Sequence, residues 1–226
     1  MPFFNQIKYS EDISVYVWSL TETFNDLKYL CQRRGIDTTD VNDIRAKNRA
    51  CERLAEKLLI KIICGEPFTL AHHDNGAPYI VESELNISIS HTAGTVCIAT
   101  STKSEIGIDV ERKGTRVIKV RNKFLNELEK RWISEEDVDA NLIAWTAKEA
   151  LFKIVGEQEI DFREHLQLEP FKSEEEGFID FRGSFTKHMP ITQYEFLSTL
   201  GIDFIMTLVV KDGTKITKPD NNFISI

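Results

Sequence analysis

Apolar residues in this chain follow two periods, and the period in force at each stretch predicts the element there. Ile13, Val15 and Val17 alternate with Ser14, Tyr16 and Trp18, the two-residue rhythm of a strand. Ser19 and Glu22 then stand at capping-box spacing and predict a short helix through residue 30. Gly35 and the Asp-Thr-Thr-Asp after it break that pattern. Beyond them Ala50, Leu54, Ala55, Leu58, Leu59 and Ile62 recur at helical spacing, predicting a long helix over about 41–64 with these residues buried. Short runs at 68–70, 78–81, 86–91 and 95–100 read as strands.

The later half begins with a strand at 104–111. Ile108 and Val110 point one way, Asp109 and Glu111 the other. Val117, Val120, Phe124, Leu125, Leu128 and Trp132 predict a helix interrupted or bent near Asn126. A second helix is framed by Ser134 and Asp137 as caps and Gly156 as stop. Its stripe is Leu142, Ile143, Ala147, Leu151, Ile154 and Val155. Strands follow at 167–170, 177–185, 192–197 and 204–210, with a turn at Asp212-Gly213 and a loose end. The order strand, helix, helix, several strands thus occurs twice, with the break near 101–105. No residue-level repeat accompanies it.

Composition narrows the field. The chain has 226 residues, 42% hydrophobic, enough for one large domain or two small ones. Lys and Arg number 28 against 36 Asp and Glu, a net charge of −8 that argues against a nucleic-acid binder. Attraction to any acidic partner must therefore come from a local basic patch. Cys31, Cys51, Cys64 and Cys97 form no C-x-x-C pair, as expected for reduced thiols in the cytoplasm. No signal pattern opens the chain, and no apolar run approaches the ~18 residues of a membrane span. A soluble, cytoplasmic protein is the expectation.

Three stretches carry candidate chemistry. Asp109 and Glu111 share one face of a strand and repel unless something positive lies between them. A hard divalent cation such as Mg2+ answers this economically, with Glu149 as third carboxylate. The plain alternative is an edge strand with a solvated acidic face. Trp145, Glu149 and Lys153 rise along one side of their helix, and Glu149 with Lys153 also reads as an ordinary i,i+4 surface pair. Ser90 and His91 end a strand at a small-residue turn and offer donors to an anion, although most Ser-His pairs are structural. On the helix near 41–64, Arg45, Arg49, Arg53, Lys57 and Lys61 form a basic ridge, partly neutralised by Glu52 and Glu56. His72 and His73 lack a third ligand at metal spacing and read as surface residues.

Together, Ser88-Ile89-Ser90-His91, Gly107-Ile108-Asp109-Val110-Glu111 and the stretch Trp145 to Lys153 fit the motifs S-x-S-H, G-x-D-x-E and W-x-x-K-E-x-x-x-K. In this order they resemble the 4'-phosphopantetheinyl transferase superfamily. Length and motif spacing look like the surfactin-synthetase-activating type, with both halves in one chain. The motifs cover roughly residues 45–155, and the combination of the last two is highly specific.

The resemblance implies an α/β (α+β) pseudodimer of two similar lobes, each a small, mainly antiparallel sheet packed with helices. The lobes would be 1–104 and 105–226, with the site at their interface and no need of a second chain. It implies transfer of the 4'-phosphopantetheine group of coenzyme A to a serine of an apo acyl or peptidyl carrier protein. Mg2+ on Asp109, Glu111 and Glu149 would assist, and adenosine 3',5'-bisphosphate would leave. Lys153 and Lys148 would add positive charge at the phosphate, and Glu129 or a water on the metal would take the serine proton. Arg45, Lys47, Arg49, Ser90 and His91 would serve the phosphates of coenzyme A. Ala77 stands where the family turn N-G-K-P has lysine, so one cation expected at coenzyme A is missing. Lys57 stands where related proteins commonly have arginine, which keeps the charge and loses the fork. The alternative is a coenzyme A-binding module of the same fold that has lost transfer.

Overall fold

Alternating burial along the strands divides the molecule into layers, and the division explains where the candidate residues point. The computed structural model describes residues 4–65, 68–172, 177–211, 213–214 and 216–219. Strands β1 (Asn5–Lys8), β2 (Ile13–Ser19), β5 (Asn86–Thr92) and β6 (Thr95–Ser101) form one antiparallel sheet in the order β1-β2-β6-β5. Strands β7 (Ile106–Arg112), β8 (Leu166–Leu168), β9 (Gly177–Phe185), β10 (Thr192–Leu200) and β11 (Phe204–Lys211) form a second, in the order β7-β11-β10-β9-β8. A hairpin of β3 (Leu70–His72) and β4 (Pro78–Ile80) stands beside them.

One face of each sheet packs against the other sheet. Ile13, Val15 and Val17 of β2 meet Ile106, Ile108 and Val110 of β7 and Met206 and Leu208 of β11 in one buried cluster. The opposite faces carry helices. Trp18, Val96 and Ile98 pack on α1 (Phe24–Arg33) and α2 (Lys47–Cys64). Ile205 and Val209 pack on α4 (Val138–Val155), with Val117 of the short α3 (Arg116–Val120) in the same cluster. The two-residue period of β7 therefore sends Ile108 into the space between the sheets and Asp109 and Glu111 toward α4. Mixed α/β structure with antiparallel sheets and helices agrees with the sequence reading.

Several boundaries differ from expectation, each for a local reason. Helix α1 is capped by Thr23, not Ser19. Ser19 is the last rung of β2, opposite Thr95, whereas Thr23 and Asp26 exchange the two bonds of a capping box. Helix α2 starts at Lys47 rather than near 41. Asp37 bonds Thr39 N at 3.0 Å and Lys57 takes Asp37 O at 2.8 Å, so local side-chain bonds replace helical ones. On α2 Ile60 is buried while Ile62 is 36% exposed.

The helix expected over 117–132 is a five-residue turn of α-helix followed by two separate 3-10 turns. Lys148 Nζ occupies Phe124 O at 2.8 Å, and Asn126 Oδ1 accepts Glu129 N at 2.8 Å, which stops one segment and starts the next. At α4 Asp137 is the N-cap, accepting Ala140 N at 2.8 Å, whereas Ser134 accepts Glu136 N at 3.2 Å in the turn before it; Gly156 adopts the left-handed conformation with φ 62° as expected. The turn expected at Asp212 and the end after residue 219 lie outside the described residues. Among the described residues no helix is long and apolar enough to cross a membrane, and all four cysteines are free.

Candidate functional site

Strands β5 and β7 are edge strands of different sheets, and serine side chains join them. Ser88 Oγ accepts Ile108 N at 3.0 Å, and Ser90 Oγ accepts Val110 N at 3.2 Å. Because 88 pairs with 108 and 90 with 110, the strands run parallel, and every second residue of β5 supplies the bridge. The Ser90 hydroxyl then donates to Asp109 Oδ1 at 2.8 Å. Its proton is thereby committed to Asp109, and Ser90 orients that carboxylate instead of offering a free donor.

Helix α4 lies against β7 because residue 107 has no side chain. A Cβ there would stand 2.1 Å from Ala150 O. The close approach brings Trp145, Glu149 and Lys153 opposite Asp109 and Glu111. Trp145 Nε1 donates to Glu111 Oε1 at 3.3 Å, and Thr92 Oγ1 donates to Glu111 Oε2 at 3.2 Å. Lys153 Nζ donates to Ile108 O at 2.8 Å, to Asp109 Oδ1 at 2.9 Å and to Ile89 O at 3.2 Å. It thus straddles the two sheet edges and is not an i,i+4 partner of Glu149.

The three carboxylates feel one another. Burial, then Asp109, push Glu149 up to about 7; Lys153 opposes this, and Glu111 adds to it. Glu111 is raised by burial and by Asp109. Asp109 is 7% exposed, and its Oδ2 is buried without a hydrogen-bond partner. An orphaned carboxylate oxygen among two further carboxylates is a donor set of hard oxygens, the chemistry that suits Mg2+. Among the described residues, no three such side chains already form a group that could hold a metal ion. Lys153 instead supplies the positive charge against Asp109. The residues present fit the ion by chemistry, and Asp109 Oδ2 is the oxygen left without a partner.

His91 continues β5 toward α2. Its Nε2 contacts the Arg49 guanidinium, and its Nδ1 lies 3.6 Å from Glu52 Oε2. Burial, then the Arg49 charge, hold the imidazole below its ordinary value despite Glu52. Arg49 is exposed at the first turn of α2, where no acidic residue and no side-chain cap answers the helix N-terminus. Further along the ridge Arg53 pairs with Glu56, and Lys57 with Asp40 at 2.5 Å. Arg49 also pairs with Glu52 at 3.4 Å, so the ridge is partly neutralised along its length. Arg45 and Lys47 are exposed, Arg45 in the link ahead of α2.

Glu129 and Lys148 are brought together, but away from solvent. Lys148 is 0% and Glu129 2% exposed, with Nζ 2.6 Å from Glu129 Oε2. Lys148 also donates to Phe124 O and Phe162 O; Glu129 also accepts Asn126 N and Leu168 N, both at 3.0 Å. All three Lys148 protons and both Glu129 oxygens are thus engaged inside the second sheet's helical layer. Neither side chain reaches solvent from this position, and a group that takes a proton from substrate must touch it. His72 and His73 are exposed, and His73 stacks on Tyr79.

Residues 105–197 match the family model described as the 4'-phosphopantetheinyl transferase superfamily. Over this segment the chain is similar to that superfamily. The segment holds β7, α3, α4 and the strands through β10, hence every carboxylate of the seam and Lys153. A curated relative, 4'-phosphopantetheinyl transferase gsp of Aneurinibacillus migulanus, is 30% identical over 111 residues, 46% of this chain and 46% of the relative. The match thus spans about half of that phosphopantetheinyl transferase.

Three contributors carried no individual role in the sequence reading. Thr92 holds Glu111, Ser88 bridges the sheet edges, and Asn75 bonds Gly156 O at 2.7 Å. Ser88 and Ser90 lie two apart on one face of a strand, and that spacing was the available signal.

Proposed function

We propose that this chain transfers the 4'-phosphopantetheine group of coenzyme A to a serine of an apo carrier protein, releasing adenosine 3',5'-bisphosphate. The two halves, 1–104 and 105–226, are read as lobes of a pseudodimer in a monomeric, cytoplasmic enzyme. The observation that carries this reading is the seam, where Asp109, Glu111 and Glu149 lie near one another under Lys153 and Asp109 Oδ2 has no partner.

Asp109, Glu111 and Glu149 would hold Mg2+, which when bound stabilises charge on the pyrophosphate. Lys153 reaches the same place from α4 and adds fixed positive charge where it develops at phosphorus. Ser90, Thr92 and Trp145 keep Asp109 and Glu111 aimed. Arg49 and His91, beside the uncapped start of α2, would receive the 3'-phosphate, with Arg45 and Lys47 as outlying charges. Glu129 and Lys148 would brace the approach of α4.

A local basic patch also exists for a protein partner. Residues 112–123 contain six cations and no acid in a chain of charge −8; Arg121 is buried and Lys113 pairs with Asp139, which leaves Arg112, Arg116, Lys119 and Lys123 exposed. Arg112, Arg116 and Lys123 line a groove of about 470 Å3 that ends at Glu111 and Trp145. An acidic carrier held there would bring its serine beside the carboxylates.

The test is mass spectrometry of an apo carrier incubated with the chain, coenzyme A and Mg2+. Addition of one phosphopantetheine group is expected, and EDTA is expected to prevent it. Binding of coenzyme A without any mass gain selects the non-transferring module instead.

A further inference from the structure

We propose that Asn75 is a positioning residue that sets the width of the coenzyme A cavity and the station of Lys153, by tying the β3-β4 turn to the C-terminal cap of α4. The proposal rests on the transfer reading for the identity of the ligand. Asn75 Nδ2 donates to Gly156 O at 2.7 Å, across 81 residues of sequence and from one half of the chain to the other. Its Oδ1 accepts Ala77 N at 3.0 Å, so one side chain both closes its own turn and reaches out of it.

Both ends of the link are stiff. The turn is closed by His73 N to Ala77 O at 2.9 Å and Gly76 N to His73 O at 2.8 Å. At the other end Gly156 caps α4, where the last carbonyls have no helical partner, so the amide answers an otherwise open acceptor. A Cβ at 156 would stand 2.7 Å from Asn75 Nδ2, so glycine here serves the approach of Asn75 as well as the positive φ. Beyond Gly156 the chain is held from its far side by Lys187 Nζ to Gln158 O at 2.9 Å and by His188 to Glu157 at 2.8 Å.

Between these two anchored walls lies a cavity of about 330 Å3. Asp74 to Pro78 form one side, Phe152, Lys153 and the residues from Gly156 the other, and Ser88 and Ile89 the floor. Lys153 is three residues before the capped glycine, so movement of the cap moves the cation over Asp109 and Ile89 O. The Asn75 bond is therefore a spacer between a wall from each half.

Asn75→Asp isolates the link. It keeps the acceptor for Ala77 N and replaces the donor by a carboxylate oxygen facing Gly156 O. Asn75→Ala removes both bonds. For Asn75→Asp, calorimetry with coenzyme A alone should show five- to tenfold weaker binding, and tenfold corresponds to about 1.4 kcal/mol. The KM for coenzyme A should rise equally and kcat should fall severalfold, while the KM for the carrier stays fixed and the melting temperature moves by no more than about 3 °C. Asn75→Ala should reproduce this pattern. Wild-type coenzyme A affinity and kcat in a folded Asn75→Asp protein would overturn the proposal, as would equal losses for coenzyme A and carrier with a large melting shift. Absence of transfer by the wild-type chain would instead strike the parent reading, and the calorimetric comparison would still decide the role of Asn75.

Discussion

Lys153 Nζ sits 2.9 Å from Asp109 Oδ1, on the neighbouring sheet edge, and not on Glu149 one helical turn away. The helix spacing of Glu149 and Lys153 permits an ordinary surface pair, yet the packing of α4 on Gly107 gives the ammonium a stronger set of acceptors. Two of them are main-chain carbonyls of different sheets, Ile89 O and Ile108 O. One cation thereby holds the seam together and faces the carboxylates.

Replacing Lys153 by Met should show both roles. Losing the three bonds leaves partly buried acceptors unpaired, so stability should fall by roughly 1–3 kcal/mol, more than the ~0.5 kcal/mol of a surface pair. Turnover should fall much further than that loss explains, with coenzyme A binding less affected. Lys153→Arg keeps charge but cannot occupy the same point, and substantial loss is expected there too. Steady-state kinetics on protein shown folded by circular dichroism checks this; wild-type kcat in the Met variant would reduce Lys153 to a structural tie.

Asp109→Ala should lower the transfer rate by at least ~10^3, about 4 kcal/mol in the barrier, without unfolding the chain. Removal relieves the repulsion that raises Glu149 and Glu111, which offsets part of the lost Lys153 and Ser90 bonds. Metal titration after EDTA treatment is the companion measurement, with Mg2+ restoring wild-type activity and not that of the variant. Full transfer in EDTA would sink the metal assignment.

Acid should loosen the tie between the start of β2 and the turn after β6 before it unfolds either core. Asp12 receives Ser101 Oγ at 2.6 Å, Thr102 N at 2.7 Å, Thr102 Oγ1 at 2.6 Å and Ser104 Oγ at 3.2 Å. Desolvation works against the charge, but these bonds outweigh it and hold the carboxyl at about 2, below its ordinary 3.8. A depressed carboxyl contributes stability above its unfolded pKa and loses it as pH falls through the folded value, so the window is about pH 4 down to 2. The contribution is about 1 kcal/mol once solvent screening is allowed for. Asp12→Asn should lower the melting temperature at pH 7 and flatten its decline below pH 4. An unchanged acid profile would remove Asp12 from the linkage.

Strand alternation was legible because each sheet is buried on one face by the other sheet, which fixes the period at 106, 108 and 110. The caps of α4 were legible because Asp137 and Gly156 act within their own turn. The region 117–132 was legible only in its break near Asn126, not in how short its helical turns are. Its apolar spacing is helical, but Lys148 arrives from α4 to take Phe124 O, and that contact is invisible along the chain. Ser90 read as a free donor for the same reason, since its partners Asp109 and Val110 belong to another strand. The motif residues were found as types at spacings; which of them meet at the seam and which are buried behind α4 is set by tertiary packing.

Glu129 and Lys148 give the sharpest separation of those two classes. Their bond is 2.6 Å long, buried at both ends, and burial lowers Lys148 against the pull of Glu129. Removing one partner strands the other in a low-dielectric interior, at a cost of roughly 3–5 kcal/mol, so Lys148→Met and Glu129→Gln should each be strongly destabilised in urea titrations. The double replacement Lys148→Met, Glu129→Leu removes both charges, though Phe124 O, Phe162 O, Asn126 N and Leu168 N lose their partners, so recovery should be partial. A bracing role predicts that transfer per folded molecule stays within about tenfold of wild type in the double variant, because neither group touches substrate. A base or phosphate ligand predicts a loss of ~10^2 or more whatever the stability. Inactivity of a folded double variant that still binds coenzyme A would return Glu129 or Lys148 to the chemistry.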